Sequence, residues 1–133
     1  MPTTRRSGLR IHYEIAGSGP PVLLLHGYSS SGWTNWVGSG WVELLAPHHT
    51  VLVPDLRGHG RSQKPYSANA YSVAGLAADA LAVMDREGFA GAPIFGYSMG
   101  GMVALELILS HPDRVEAAII GGMGSYFPIG RGR

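Results

Sequence analysis

Short apolar runs recur along the chain, and glycine, proline or polar residues bound them. A continuous run of this kind is typical of a strand that is covered on both faces of a sheet. The segment from Arg10 to Ala16 instead alternates roughly between apolar and polar residues, which predicts a half-buried strand near a sheet edge. The wholly apolar run at residues 22–25 and the largely apolar runs at 50–53, 92–95 and 115–120 predict buried strands.

Helical spacing of apolar residues marks the longer segments between these runs. It predicts an amphipathic helix over residues 71–87 and a strongly apolar helix over residues 99–110. A weaker helix is predicted over residues 36–46, broken by Gly38 and Gly40. Because short buried strands alternate with helices, we predict an α/β fold: a mostly parallel sheet of about six strands with flanking helices.

The composition restricts the class of protein further. A chain of 133 residues favours a single domain over 1–133, in which we expect 123–133 to be an irregular tail. Apolar residues make up 45% and the net charge is +1, so neither disorder nor a nucleic-acid partner is expected. We expect no membrane partner, because no apolar run is long enough to span a bilayer. Residues 1–10 lack the apolar core of a signal peptide, so we expect a cytoplasmic protein.

One motif carries candidate chemistry. The pattern G-x-S-x-G spans residues 96–100 and lies where a predicted strand meets a predicted helix. In such a nucleophile elbow, Ser98 sits on a tight turn that presents its hydroxyl, and larger residues at Gly96 and Gly100 would clash. The backbone N–H of Met99 would face the substrate oxygen as part of an oxyanion hole, and Gly101 continues the run of small residues. The alternative is that Ser98 is an ordinary helix N-cap.

The tripeptide His26-Gly27-Tyr28 follows a predicted buried strand. An oxyanion hole needs a second backbone donor from such a loop, and the N–H of Tyr28 is our candidate. His26 is then expected to be structural and to form hydrogen bonds within the loop. A catalytic base at His26 is the alternative.

A glycine- and arginine-rich loop spans residues 55–62. We expect Asp55 to fix this loop through hydrogen bonds. The alternative is an anion-binding loop, because Arg57, His59 and Arg61 are close together in sequence. The chain has no cysteine, and no spacing of histidines and carboxylates predicts a metal site, so we expect neither a metal nor a cofactor.

Three segments together resemble the α/β-hydrolase fold family, in that family's order. They are VLLLHGYSSSGWTNW, VLVPDLRGHGRS and IFGYSMGGMVALELILSHPDRVEAAII. The resemblance implies that Ser98 attacks a small ester, lactone or related carbonyl substrate, as in esterases, enol-lactonases, carbon–carbon bond hydrolases and cofactor-free haloperoxidases. Epoxide hydrolases and haloalkane dehalogenases share the loop at residues 55–62, but they use an aspartate nucleophile, and Ser98 argues against those two activities.

The chain departs from the family pattern after Ser98. In the family an acid and then a histidine follow the nucleophile. Here the only later histidine is His111, and after the predicted helix the only carboxylates are Asp113 and Glu116. We therefore expect the base and the acid to be absent from this chain, which resembles the N-terminal half of a family member.

This departure leaves competing hypotheses about function. The chain is the nucleophile part of a serine hydrolase, or a non-catalytic remnant that binds a ligand or partner, or a truncated fragment that is inactive alone. The predicted strand over residues 115–120 would have an open, apolar edge. Self-association or a completing partner chain at this edge is therefore a further expectation.

Overall fold

The computed structural model describes residues 3–6 and 8–122. The described residues contain six strands, namely β1 (Thr3–Arg6), β2 (Leu9–Ala16), β3 (Pro21–Leu25), β4 (Thr50–Pro54), β5 (Ala92–Tyr97) and β6 (Val115–Gly121). They also contain three α-helices, namely α1 (Trp41–Leu45), α2 (Val73–Arg86) and α3 (Met99–Ser110). A π-helical turn covers Trp33–Val37, and 3₁₀ turns cover Ala68–Tyr71 and Pro112–Arg114. The predicted tail at 123–133 lies outside the described residues.

The strands form one sheet in the order β1-β2-β4-β3-β5-β6. Strands β4, β3, β5 and β6 are mutually parallel, whereas β1 and β2 run antiparallel to their neighbours. The prediction of a mostly parallel sheet of about six strands with flanking helices is confirmed. Since parallel strands end at the same edge, the loops after β3, β4 and β5 all lie at one end of the sheet.

The sheet has an apolar layer on each face. Along β3, Leu23 and Leu25 pack in the layer that includes α2 and α3, while Val22 and Leu24 pack in the opposite layer. Trp36 is part of that second layer, and its ring centroid lies 4.8 Å from that of Phe95. The wholly apolar run of β3 therefore reflects a strand covered on both faces, as predicted.

One predicted helix was wrong, and one strand was not predicted. The helix predicted over residues 36–46 is two separate turns, the π-helical Trp33–Val37 and the five-residue α1. The chain between them passes through Gly40 at φ +95°, a conformation that an α-helix cannot contain. Strand β1 was not predicted, because Thr3–Arg6 is polar throughout; it forms the outer edge of the sheet against β2.

The other edge of the sheet is formed by β6, which pairs among the described residues with β5 alone. Its residues Ala117, Ala118 and Ile119 are exposed, so the strand predicted over residues 115–120 is present but the prediction that it is buried was wrong. Self-association or a completing partner at this edge stays a prediction. No helix in the described part of the chain is long and apolar enough to cross a membrane.

Candidate active site

Ser98 lies on the turn between β5 and α3, with φ +54° and ψ −112°. For a residue with a side chain this is a strained conformation, and such strain clusters at functional sites. Ser98 occupies the N-cap position of α3, but its side chain makes no capping hydrogen bond, as the side chain of an ordinary N-cap serine would. Its N–H instead donates to the carbonyl oxygen of Gly121 at 2.8 Å, which fixes the turn against β6.

Glycines on either side make this turn possible. A Cβ at Gly96 would overlap the carbonyl oxygen of Gly100, and a Cβ at Gly100 would overlap the carbonyl oxygen of Leu25. Gly101 is buried in the first turn of α3, and its N–H donates to the Ser98 carbonyl oxygen at 2.8 Å. The first turn of α3 is thus pressed against the end of β3.

The loop after β3 runs directly beside Ser98. A Cβ at Gly27 would lie 3.5 Å from the Cβ of Ser98, and the Gly27 N–H donates to Asn35 Oδ1 at 2.7 Å. Within the described residues, the backbone N–H groups of Tyr28 and Met99 have no hydrogen-bond acceptor. Tyr28, Ser98 and Met99 line one cavity, and backbone donors without acceptors in such a place can receive an oxygen that gains negative charge.

His26 is completely buried behind this loop. Its Nε2 accepts a hydrogen bond from the Leu56 N–H at 3.0 Å, and its Nδ1 lies 2.8 Å from the carbonyl oxygen of Gly27. Because a carbonyl oxygen only accepts, the partners assign the proton to Nδ1. Burial lowers the pKa of His26 below its ordinary value. Both ring nitrogens have backbone partners, which favours the structural role over a base.

Asp55 joins two segments at the end of β4. Its Oδ1 accepts from the Gly32 N–H at 2.8 Å, and its Oδ2 accepts from the Arg61 N–H at 3.0 Å. A Cβ at Gly60, which has φ +52°, would overlap the Asp55 carboxylate. The buried carboxylate therefore fixes the glycine-rich loop through hydrogen bonds.

Arg57 does not have the exposure that an anion-binding loop would need. Its guanidinium forms a bidentate ion pair with the fully buried Asp79, at 2.8 Å from Nε and 2.7 Å from Nη2. Nη1 donates to the Ala70 carbonyl oxygen at 2.9 Å, and Nη2 also donates to that of Gly75 at 3.1 Å. Hydrogen bonding to Asp79 raises the pKa of Arg57 above its ordinary value. Arg57 ties the loop to α2.

Sequence reasoning missed Asp79, although a signal was present. Asp79 lies on the same helical face as the buried residues Leu76, Ala80 and Val83. Burying a carboxylate on an apolar helix face is costly unless a buried cationic group pairs with it. The two residues are separated by 22 positions, so the sequence does not identify that partner as Arg57.

A cavity of about 750 Å³ opens over Ser98 at the end of the sheet. Apolar side chains dominate its wall, and the polar groups of Ser98, His59 and the two exposed residues Tyr28 and Ser29 also face it. The residues that line it are Tyr28, Ser29, Gly58, His59, Ala68, Tyr71, Val73, Leu76, Ser98, Met99 and Met102. An apolar concavity with a few convergent polar groups is typical of a small-molecule site.

The remaining candidate groups lie elsewhere. His111 is exposed and follows the last residue of α3, roughly 18 Å along the helix from Ser98. In the described ranges no group of three histidines or carboxylates is arranged to hold a metal ion. Ser98, Met99 and Tyr28 meet at the cavity, whereas His26 and Asp55 support the loops behind it.

Comparison with known proteins gives a consistent set of relatives for this chain. A profile of the family described as "alpha/beta hydrolase fold" matches residues 20–123. The soluble epoxide hydrolase of Corynebacterium sp. strain C12 is 35% identical over 92% of this chain and 44% of its own length. The 2-hydroxymuconate semialdehyde hydrolase of Pseudomonas sp. strain CF600 is 34% identical over 95% of this chain and 44% of its own.

Solved structures give the same result. The structure described as "Est816 as an N-Acyl homoserine lactone degrading enzyme" superposes with a TM-score of 0.82 at 37% identity. It covers 90% of this chain, and this chain covers 44% of it. The chain therefore spans less than half the length of these relatives.

Proposed function

Because the chain belongs to the α/β-hydrolase fold family, we propose that it is the nucleophile-bearing part of a serine hydrolase that acts on a small ester, lactone or related carbonyl compound. One observation carries this proposal: Ser98 is held at φ +54° in the wall of the cavity that Tyr28 and Met99 also line, and the N–H groups of those two residues have no acceptor among the described residues.

In this mechanism, the Ser98 hydroxyl oxygen attacks the carbonyl carbon of the substrate while a base removes its proton. The carbonyl oxygen becomes an oxyanion, which accepts hydrogen bonds from the N–H groups of Tyr28 and Met99. Met99 is the first residue of α3, so the partial positive charge at that helix end also favours the oxyanion. The intermediate then collapses: its bond to the leaving oxygen breaks, that oxygen takes up the proton held by the base, and an acyl-serine remains. An ester releases its alcohol at this point, whereas the hydroxyl of an opened lactone stays on the acyl group. Water, deprotonated by the same base, then hydrolyses the acyl-serine and regenerates Ser98.

The base is proposed to come from outside the described residues. A serine hydroxyl is a weak nucleophile without one. Among the described residues no histidine is hydrogen-bonded to the Ser98 hydroxyl. His26 has both ring nitrogens bound to backbone groups, and His111 lies at the far end of α3. His59 lines the cavity, but the hydrogen bond of its ring is made by Nδ1 to the Arg57 carbonyl oxygen and not to Ser98. Without base and acid, the oxyanion hole and substrate binding can still retain roughly 10³–10⁴-fold catalysis over water. We therefore expect the isolated chain to be inactive or very slow.

Ester or lactone chemistry is favoured over epoxide opening. Two of the similar proteins are named as epoxide hydrolase and lactone-degrading enzyme, so the fold alone does not separate these reactions. Within the family that this chain resembles, epoxide hydrolases have an aspartate nucleophile, whereas this chain has Ser98 at the strained turn. An oxyanion hole also suits a carbonyl substrate, because its oxygen gains charge on attack.

A fluorophosphonate probe tests the proposal. The purified chain is incubated with the probe, and the adduct is located by intact-mass and peptide mass spectrometry. We expect slow formation of a single adduct on Ser98 and no adduct in Ser98→Ala.

Ser29 provides a matched control, because it is exposed, lines the same cavity and has φ +59°. Ser29→Ala should be labelled like the wild type. An adduct on Ser29, or none on Ser98 at long incubation, would contradict the serine-hydrolase proposal and favour a non-catalytic ligand-binding protein.

A further inference from the structure

His59 occupies a position in the cavity that the proposed mechanism does not use. It lies in the loop after β4 and forms part of the same cavity wall as Ser98. Its ring centroid lies 5.0 Å from that of the buried His26 and 5.8 Å from that of the exposed Tyr28. The His59 imidazole thus lies between the buried His26, which supports the loop after β3, and the exposed ring of Tyr28.

The hydrogen bond at Nδ1 determines what the other ring nitrogen can do. Nδ1 lies 2.9 Å from the carbonyl oxygen of Arg57, which only accepts, so Nδ1 carries the proton. In the neutral ring Nε2 is then an acceptor. Within the described residues no donor is paired with Nε2. Since Arg57 is held by Asp79, the fold itself fixes this tautomer.

We propose that His59 is a substrate-binding residue whose Nε2 accepts a hydrogen bond from a hydroxyl or amide N–H that the substrate carries close to the attacked carbonyl. This inference rests on the proposed function of the cavity. The hydroxyl of Tyr71, another wall residue, already donates to the Pro65 carbonyl oxygen at 2.6 Å. Much of the remaining wall is apolar, as at Leu76 and Met102. The preferred substrates are therefore esters or lactones with one nearby donor and an otherwise apolar body.

Two lactones that differ only in a donor test this inference. We would measure the binding of α-hydroxy-γ-butyrolactone and α-methoxy-γ-butyrolactone to the full chain by NMR chemical-shift titration. A neutral hydrogen bond corresponds to about 3- to 10-fold in affinity. We expect the wild type to bind the hydroxylactone more tightly by that factor.

Variants of His59 distinguish the effect of its hydrogen-bond acceptor from the effect of its ring shape. His59→Phe should bind both lactones equally, whereas His59→Gln should recover part of the preference through its side-chain carbonyl oxygen. His48→Phe is the matched control, because His48 is exposed and does not line the cavity; it should keep the full preference. In the wild type, the ¹⁵N signal of His59 Nε2 should shift with the hydroxylactone but not with the methoxylactone, a readout that needs no variant to fold.

Equal affinities in the wild type, an unchanged preference in His59→Phe, an unchanged Nε2 signal, or no binding of either lactone would each overturn the inference. Lactone binding requires no nucleophile, so this test is independent of probe labelling. If Ser98 is labelled but the preference is absent, the role of His59 alone fails. If the preference is present but Ser98 is not labelled, the hydrolase proposal fails and His59 stands as a ligand-binding residue.

Discussion

The buried ion pair between Arg57 and Asp79 allows a sharp prediction of stability. Asp79 is fully buried and accepts both hydrogen bonds of the bidentate pair, at 2.7 and 2.8 Å. Asp79→Asn keeps the shape of the side chain, but it removes the negative charge and places an amide N–H₂ against the guanidinium. Arg57, which is only 8% exposed, would then have lost its counter-charge.

Breaking a buried pair by removing one partner costs about 3–5 kcal/mol. The asparagine oxygen can still accept one hydrogen bond, so we expect the lower end, about 3 kcal/mol. The matched control is on the same helix: Asp85 pairs with Arg114 at 2.6 Å, but its side chain is 64% exposed. Surface pairs contribute about 0–1 kcal/mol, so Asp85→Asn should cost no more than about 1 kcal/mol.

The assay is urea unfolding followed by circular dichroism, with the free energy of unfolding extrapolated to water. A double variant, Arg57→Met with Asp79→Leu, removes both charges together and should be less destabilised than Asp79→Asn, because no unpaired charge stays buried. If Asp79→Asn loses no more stability than Asp85→Asn, the pair is not a buried, desolvated contact and the reasoning is refuted.

Three further predictions follow from strain and burial. Ser98→Gly should be more stable than Ser98→Ala by about 1 kcal/mol, because glycine accepts φ +54° without strain; equal urea midpoints would contradict this. Burial lowers the pKa of His26 from 6.5, so the unfolded chain binds more protons and the free energy of unfolding should fall as pH drops below about 6.5. Urea midpoints between about pH 5 and 7.5 should therefore vary less in His26→Gln than in the wild type. Burial and a hydrogen bond to Glu87 raise the pKa of Tyr13 from 10.0 to about 12, so stability should be fully present below pH 10 and fall towards pH 12. The fall should be at most about 2–3 kcal/mol, and Tyr13→Phe should remove it.

Elements with unambiguous ends were predictable from the sequence. The helix predicted over residues 99–110 has those bounds in the structure, because a glycine-rich turn precedes it and His111 and Pro112 follow it. Strands β3 and β4 were found because residues 22–25 and 51–53 are apolar at every position, as expected of strands covered on both faces. The hydrophobic pattern therefore predicts an element correctly where burial of that element restricts its positions to apolar residues.

Elements whose stability comes from pairing at a distance were not predictable. Strand β1 is defined by its pairing with β2, and its four residues are all polar, so the sequence shows no alternation there. The partner of Arg57 was missed for a related reason. The alternative of an anion-binding loop considered only neighbours along the chain, whereas the guanidinium is bound by Asp79 and Gly75 of α2. In the sequence, the only sign of the contact between residues 57 and 79 is a carboxylate on an apolar helix face.

The strain at Ser98 is maintained by packing rather than by its hydroxyl. A residue in such a conformation costs about 1–3 kcal/mol. The Ser98 side chain makes no capping bond that could offset this. Val103 and Leu107 of α3 are both fully buried, and each contributes about 1.5–3 kcal/mol, while Gly100 lets the helix approach Leu25. Burial of α3 therefore outweighs the strain, so the turn should persist when the hydroxyl is removed. Loss of probe labelling in Ser98→Ala would then report on the nucleophile and not on a collapsed site.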